Sequence, residues 1–192
     1  MGSFYTSITL RGPSQDRVIA ALNERNRVAY VSPTLDGITL VCDKQSEDQD
    51  SHILKELTGA LSRRLTCVAL AVLNHDDDIL MCWLYDKGIL LDEYDSTPGY
   101  FEGDEDDPSG GDAAAFCRVF GAPDSVDDVD EILRSPQGDD ADGYLFALDR
   151  HMDLMDALSL PQFIAGTGYR YIEEGEIYEI DPDEFAHVGD EE

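Results

Sequence analysis

From Cys67 to Tyr100 three apolar runs are separated by two short polar breaks, CVALAVLNHDDDILMCWLYDKGILLDEYDSTPGY, and the pattern predicts three consecutive strands in a meander. Cys67–Leu73 is apolar without interruption, the mark of a strand covered on both faces. Ile79–Tyr85 and Ile89–Tyr94 follow it. Gly88 can take the positive φ of a short hairpin loop, and His75-Asp76-Asp77-Asp78 reads as a polar turn. Alternation puts Trp83 on one face with Met81 and Tyr85, where it is expected to anchor the core of the meander.

Upstream, Phe4–Leu10 has strand character and Gly12-Pro13-Ser14 ends it. Ser14 is placed to cap a helix reaching Asn26, with Val18, Ile19, Ala21 and Leu22 on one apolar face. A short strand is expected over Val28–Val31, and Asp36-Gly37 signals a hairpin before a strand over Ile38–Cys42. After the polar loop Asp43–Ser51, Ile53, Leu54, Leu57, Ala60, Leu61 and Leu65 recur at helical spacing, so a helix is expected over His52–Leu65. This order predicts an α+β fold: a ferredoxin-like split βαβ sheet extended by the meander, with two helices on one face.

Glu102–Asp112 reads as an acidic linker. Beyond it helices are expected over Ala113–Phe120, capped by Asp112 and closed by Gly121, over Val126–Leu133, and over Tyr144–Leu158. A pair of short strands is expected near Tyr169–Ile172 and Ile177–Ile180, followed by a frayed tail from Asp181. The implied organisation is a sheet domain over 1–101, a linker over 102–112, and a helical part over 113–192 that packs on the sheet as one composite domain.

Composition adds one strong feature. Of 192 residues, 42 are Asp or Glu against 13 Lys or Arg, a net charge of −29. Residues 1–96 hold 9 basic and 15 acidic side chains (net −6), and residues 97–192 hold 4 and 27 (net −23). Nucleic-acid binding is disfavoured, because phosphate contact needs positive charge. An acidic surface suits either solubility or a basic protein partner. The four cysteines form no CxxC pair, and there is neither an N-terminal apolar leader nor a run long enough to span a membrane. Reduced, buried cysteines and a cytoplasmic location are the expectation.

Few side chains form a chemical motif. His75, Asp76 and Asp78 present hard oxygen and imidazole ligands on one turn, a candidate divalent-metal site, although such residues also serve as ordinary turn formers. The acidic runs at 104–107 and 139–143 depart from the calcium-loop template. Gly166-Thr167-Gly168 lacks the lysine and third glycine of phosphate loops and reads better as a close approach of backbone to the sheet. His151, on a helix with no evident partner, reads as a surface residue. Tyr94, Tyr100, Phe101, Tyr169 and Tyr171 flank the meander's end and the GTGYRY segment, and would line a pocket with Arg170 at its mouth if those segments meet.

The blocks YVSPT (30–34), NHDDD (74–78), LYDKGILLDEYDSTPGYF (84–101) and GTGYRYIEEGEI (166–177) together resemble a family of uncharacterised bacterial proteins. The resemblance covers most of the chain and implies no activity, cofactor or catalytic residue. The function these features favour is non-catalytic protein binding, of the immunity or inhibitor kind, with no cofactor. A metal-dependent enzyme or metal-binding protein centred on His75–Asp78 is the alternative.

Overall fold

A computed structural model of the chain describes residues 2–103, 107–138 and 143–189. The expectations for Asp104–Asp106 and Asp139–Asp142 lie outside the described residues.

Among the described residues the strands form one antiparallel sheet, from β1 (Tyr5–Arg11), β2 (Ala29–Val31) and β3 (Ile38–Asp43) through β4 (Val68–His75), β5 (Ile79–Asp86) and β6 (Ile89–Asp95) to the short β7 (Ser109–Gly110) and β8 (Ala186–Val188). Their order across the sheet is β7-β6-β5-β4-β1-β3-β2-β8. The meander is therefore continuous, Ala71 facing Trp83 across β4 and β5, and β1 lies at the centre between β4 and β3.

Both faces of the sheet are covered. Helices α1 (Gln15–Asn23) and α2 (Ser51–Leu65) lie on one, where Ile8, Leu10, Val41, Ala71 and Trp83 join Leu22, Leu54 and Leu61 in one apolar cluster. Helices α3 (Ala113–Phe120), α4 (Val126–Arg134), α5 (Ala147–Ala157) and α6 (Tyr169–Glu174) serve the other, where Leu40, Leu70, Val72 and Leu84 meet Phe116, Leu133 and Leu154. Each fully buried aliphatic side chain contributes about 1.5–3 kcal/mol of transfer free energy. Strands buried on both faces explain why Cys67–Leu73 shows no alternation. Trp83 is buried beside α2, with the Lys55 ammonium 5.3 Å from its ring centre. All four cysteines are buried and free.

Local signals act as their chemistry requires. Lys87 and Gly88 both have positive φ (51° and 81°) in the β5–β6 hairpin, whose Gly88 N–H donates to Ser62 Oγ at 2.9 Å. Asp112 caps α3 by accepting from the Ala115 N–H at 2.9 Å, and Gly121 closes it at φ 80°. Asp50 caps α2 through the His52 N–H at 2.8 Å. Ser14 stands at the start of α1 without a side-chain cap bond; Thr34 Oγ1 accepts from the Gln15 N–H instead.

Three expectations are corrected. Tyr169–Glu174 is a helix rather than a strand, and 177–180 forms no strand. The tail is not wholly frayed, since Ala186–Val188 pairs with the edge strand β2. Within the expected linker, Ser109–Gly110 pairs with Tyr94 and Asp95 of β6.

Candidate functional site

The His75–Asp78 turn, the first residues of the chain and α6 meet at one end of the sheet. Asp76 Oδ1 accepts from the Gly2 N–H at 3.2 Å and Asp77 Oδ2 from the Ser3 N–H at 2.9 Å. Asp78 Oδ2 accepts from the Tyr100 hydroxyl at 2.7 Å. The turn thus holds the N-terminal segment on one side and the segment after β6 on the other. Its carboxylates serve separate partners, and among the described residues no three His, Cys, Asp or Glu side chains converge where a metal ion could be held. The residue types of a metal site are present in His75, Asp76 and Asp78, but adjacent residues on a turn point in different directions.

His75 is set by Gln49. The Gln49 Nε2 donates to the Asn74 carbonyl at 2.7 Å, which orients its amide so that Oε1 faces His75 Nδ1 at 2.5 Å. An amide oxygen only accepts, so Nδ1 carries a proton and Nε2 is left as the imidazole's second site. Phe4 and Phe101 pack edge-on against the His75 ring at 5.0 and 5.2 Å, and Tyr100 against Phe101 at 5.3 Å.

These rings border a cleft of about 700 Å³. Leu73 and Met81 supply apolar wall, the 3₁₀ turn Ser46–Asp48 and Ser51 supply polar wall, and Arg170 stands on α6. Glu47 in this wall accepts from the backbone N–H groups of Tyr169 (3.3 Å) and Arg170 (3.4 Å), tying α6 to the sheet. Burial pushes its carboxyl above the usual range, against the lowering effect of those donors.

A second cleft, about 720 Å³, lies beyond the N-terminal segment. Leu148, Met152, Phe163 and Ile177 line it, Tyr178 stands 84% exposed at its edge, and Glu176 and Glu179 provide its charge. Residues 2–4 and α6 divide the two clefts: Gly2, Ser3 and Tyr171 face the second, Phe4 and Arg170 the first, and the Phe4 N–H donates to Tyr171 Oη at 3.0 Å.

The expected aromatic pocket is therefore redistributed. Phe101 and Arg170 share the first cleft, Tyr100 backs it, and Tyr171 belongs to the second. Tyr169 is buried against Tyr30, ring centres 4.9 Å apart. Tyr94 lies under the helices on the opposite face of the sheet from Trp83, donating to the Leu133 carbonyl at 3.1 Å. Sequence reasoning missed Phe4, Glu47 and Gln49, which reach the site only through tertiary packing.

His151 is a further correction: it is completely buried, not at the surface. Tyr5 Oη lies 2.7 Å from His151 Nδ1 and 3.4 Å from Asn74 Nδ2. Burial alone pulls the imidazole down to about 3. Gly168 does make the close approach expected of it, since a Cβ there would stand 2.6 Å from the Tyr5 Cβ.

No protein-family model, curated protein or solved structure matches the chain. Among the described residues no helix is long and apolar enough to cross a membrane.

Proposed function

We propose that this chain is a non-catalytic cytoplasmic binding protein, of the inhibitor or immunity kind, whose second cleft receives a basic segment of a protein partner. The observation that carries the reading is the pairing of Met152 (42% exposed) and Tyr178 (84% exposed) with Glu176 and Glu179 on one groove, within a half of the chain whose net charge is −23. Exposed aromatic and Met side chains beside a groove are the usual anchors of protein interfaces, and charge complementarity selects and steers the partner. The same reading takes the β4-β1-β3-β2 order, with α1 and α2 on one face, as a ferredoxin-like split βαβ core serving as scaffold. The blocks at 74–78, 84–101 and 166–177, on which the resemblance rests, contribute His75, Phe101, Arg170, Tyr171, Glu176 and Ile177 to the two clefts.

The test uses two synthetic peptides of equal length and apolar content, one carrying Lys/Arg and the other Glu between Leu and Phe anchors. Fluorescence anisotropy should show binding of the basic peptide alone, weakening as salt is raised. Met152→Ser with Tyr178→Ser should weaken it about tenfold or more. Failure of the basic peptide to bind, or equal binding of the acidic one, removes the reading.

A further inference from the structure

The composition of residues 177–180 favours a strand, and the structure leaves them without one. Ile177, Tyr178 and Ile180 are all types that suit an extended backbone. Helix α6 ends just before them, where the Gly175 N–H donates to the Ile172 carbonyl at 3.1 Å and the Glu176 N–H to the Tyr171 carbonyl at 2.7 Å. From Ile177 to Ile180, no backbone N–H or C=O makes a hydrogen bond with a described residue. A run of main-chain donors and acceptors is thus left to solvent. Ile177 and Ile180 are half-buried against the core under α3 to α6, while Tyr178 and Glu179 face out. Glu179 has φ 69°, a left-handed conformation that disfavours any residue with a Cβ. Ile177, Tyr178 and Glu179 all border the second cleft, which they share with Leu148, Met152 and Phe163.

We infer that the partner segment enters the second cleft as an extended strand, which adds to residues 177–180 by main-chain pairing and straightens the chain at Glu179. The inference rests on the reading of that cleft as the groove for a basic segment, and specifies the form the segment takes. Free main chain beside an apolar groove is what strand addition needs: backbone bonds hold the incoming chain, and the groove sorts its alternate side chains. Alternation sends every second side chain of the incoming strand toward Leu148, Met152 and Phe163. The intervening ones point outward, where Lys or Arg meets Glu176 and Glu179. A helical segment keeps its backbone bonds to itself and would leave the main chain of 177–180 as it is.

The experiment uses the full chain and a synthetic peptide in which Lys and Arg alternate with Leu and Phe. Anisotropy reports whether the peptide binds, and hydrogen–deuterium exchange reports where. The amides of 177–180 should exchange fast in the free protein and about tenfold or more slowly when the peptide saturates it. N-methylating one alternate set of peptide residues should weaken binding about tenfold or more, and methylating the other set should not, because only one set of N–H groups faces the protein. Glu179→Val should bind the peptide about tenfold more tightly than Glu179→Gly; both lack the carboxylate, and only valine resists the left-handed turn. Failure of the unmethylated peptide to bind removes the groove reading and this inference with it. Binding that leaves the amides of 177–180 unprotected, that tolerates methylation of both sets, or that is equal in the two Glu179 variants keeps the groove and overturns strand addition.

Discussion

The two faces of the sheet are built by different chemistry. Under α1 and α2 the core is hydrocarbon broken only by small hydroxyls such as Thr6, Thr58 and Ser62, with Trp83 as its largest member and Ile8, Leu54 and Leu61 around it. Under α3 to α6 the hydrocarbon is interrupted by polar groups that are just as buried. Arg150 has no exposure at all, yet no described carboxylate approaches it. Its guanidinium donates to the carbonyls of Ile132 (2.6 Å), Ser135 (2.7 Å) and Pro136 (3.1 Å) and to the Tyr94 hydroxyl (3.0 Å). These carbonyls lie at the C-terminal end of α4, where the helix dipole favours a cation. The face that carries most of the acidic chain is thus fastened by a cation bound to backbone rather than to acids.

The strongest way to break this contrast is Arg150→Ala. It leaves the Ile132 and Ser135 carbonyls and the Tyr94 hydroxyl without this donor, while the Pro136 carbonyl keeps the Tyr144 N–H, and should cost about 3–5 kcal/mol in a urea titration. Because carbonyls carry no net charge and the group is buried, that cost should change little between low and high salt. A cost below ~1 kcal/mol, the range of an exposed ion pair, would mean that the guanidinium is not a structural fastening.

Trp83→Ala tests the hydrocarbon face. Lost transfer free energy and the cavity left behind predict a cost of about 3–5 kcal/mol, at the lower end if the Lys55 stem collapses into the space. Native Trp fluorescence should be blue-shifted and poorly quenched by iodide. Ready quenching together with unchanged stability would place the indole outside the core.

Acid should separate the faces further. The unfolded His151 takes a proton near 6.5, whereas in the folded core it does so only near 3. Between these values the unfolded chain binds more protons, so this contribution to stability is complete above about pH 6.5 and declines as the pH falls toward 3. The fall from pH 6.5 to 5 corresponds to about 2 kcal/mol. Burial raises the carboxyls of Glu47, Asp92 and Asp95, which acts in the opposite direction, adding stability as the pH drops through the carboxylate range. His151→Leu should therefore flatten the profile between pH 6.5 and 5, and an unchanged slope would assign the acid sensitivity to other groups.

The smallest effect belongs to the surface. Arg64 and Glu24 form a bidentate pair at 2.7 and 2.9 Å, but both are half exposed. Replacing both with Ala should leave the melting midpoint where it is, because exposed pairs are screened and entropically costly.

The contrast also explains what the sequence made legible. On the hydrocarbon face, periodicity alone located α2 to within a residue of Ser51–Leu65 and put Trp83 beside Tyr85 in the core. Local cap chemistry placed α3 at Ala113–Phe120. Where structure depended on distant partners, the local signal pointed elsewhere. Tyr169–Glu174 is too short for helical periodicity and rich in aromatic residues, and Glu47, 122 positions upstream, is what satisfies its first N–H groups. His151 looked like a surface residue because its partner Tyr5 lies 146 positions away. The candidate site was legible only in pieces: the segments around His75, Phe101 and Arg170 do meet, but Tyr94 and Tyr169 turn into the core while Phe4 and Gln49 complete the cleft.

The central strand β1 holds one more consequence. Ser7 and Thr9 lie on the same side of β1 as Tyr5, and their hydroxyls are buried without a partner among the described residues. In a growing chain, the first 95 residues already contain β1 to β6 with α1 and α2, so one side of the sheet can close early. The other side stays wet until α5 and α6 have been made, an interval of roughly ten seconds at ribosomal speeds of about 5–20 residues per second. During that wait water has access to the two hydroxyls, whose burial comes only with the second helical layer. Two groups that cost free energy in the finished core are thus ones that water can satisfy before that core closes.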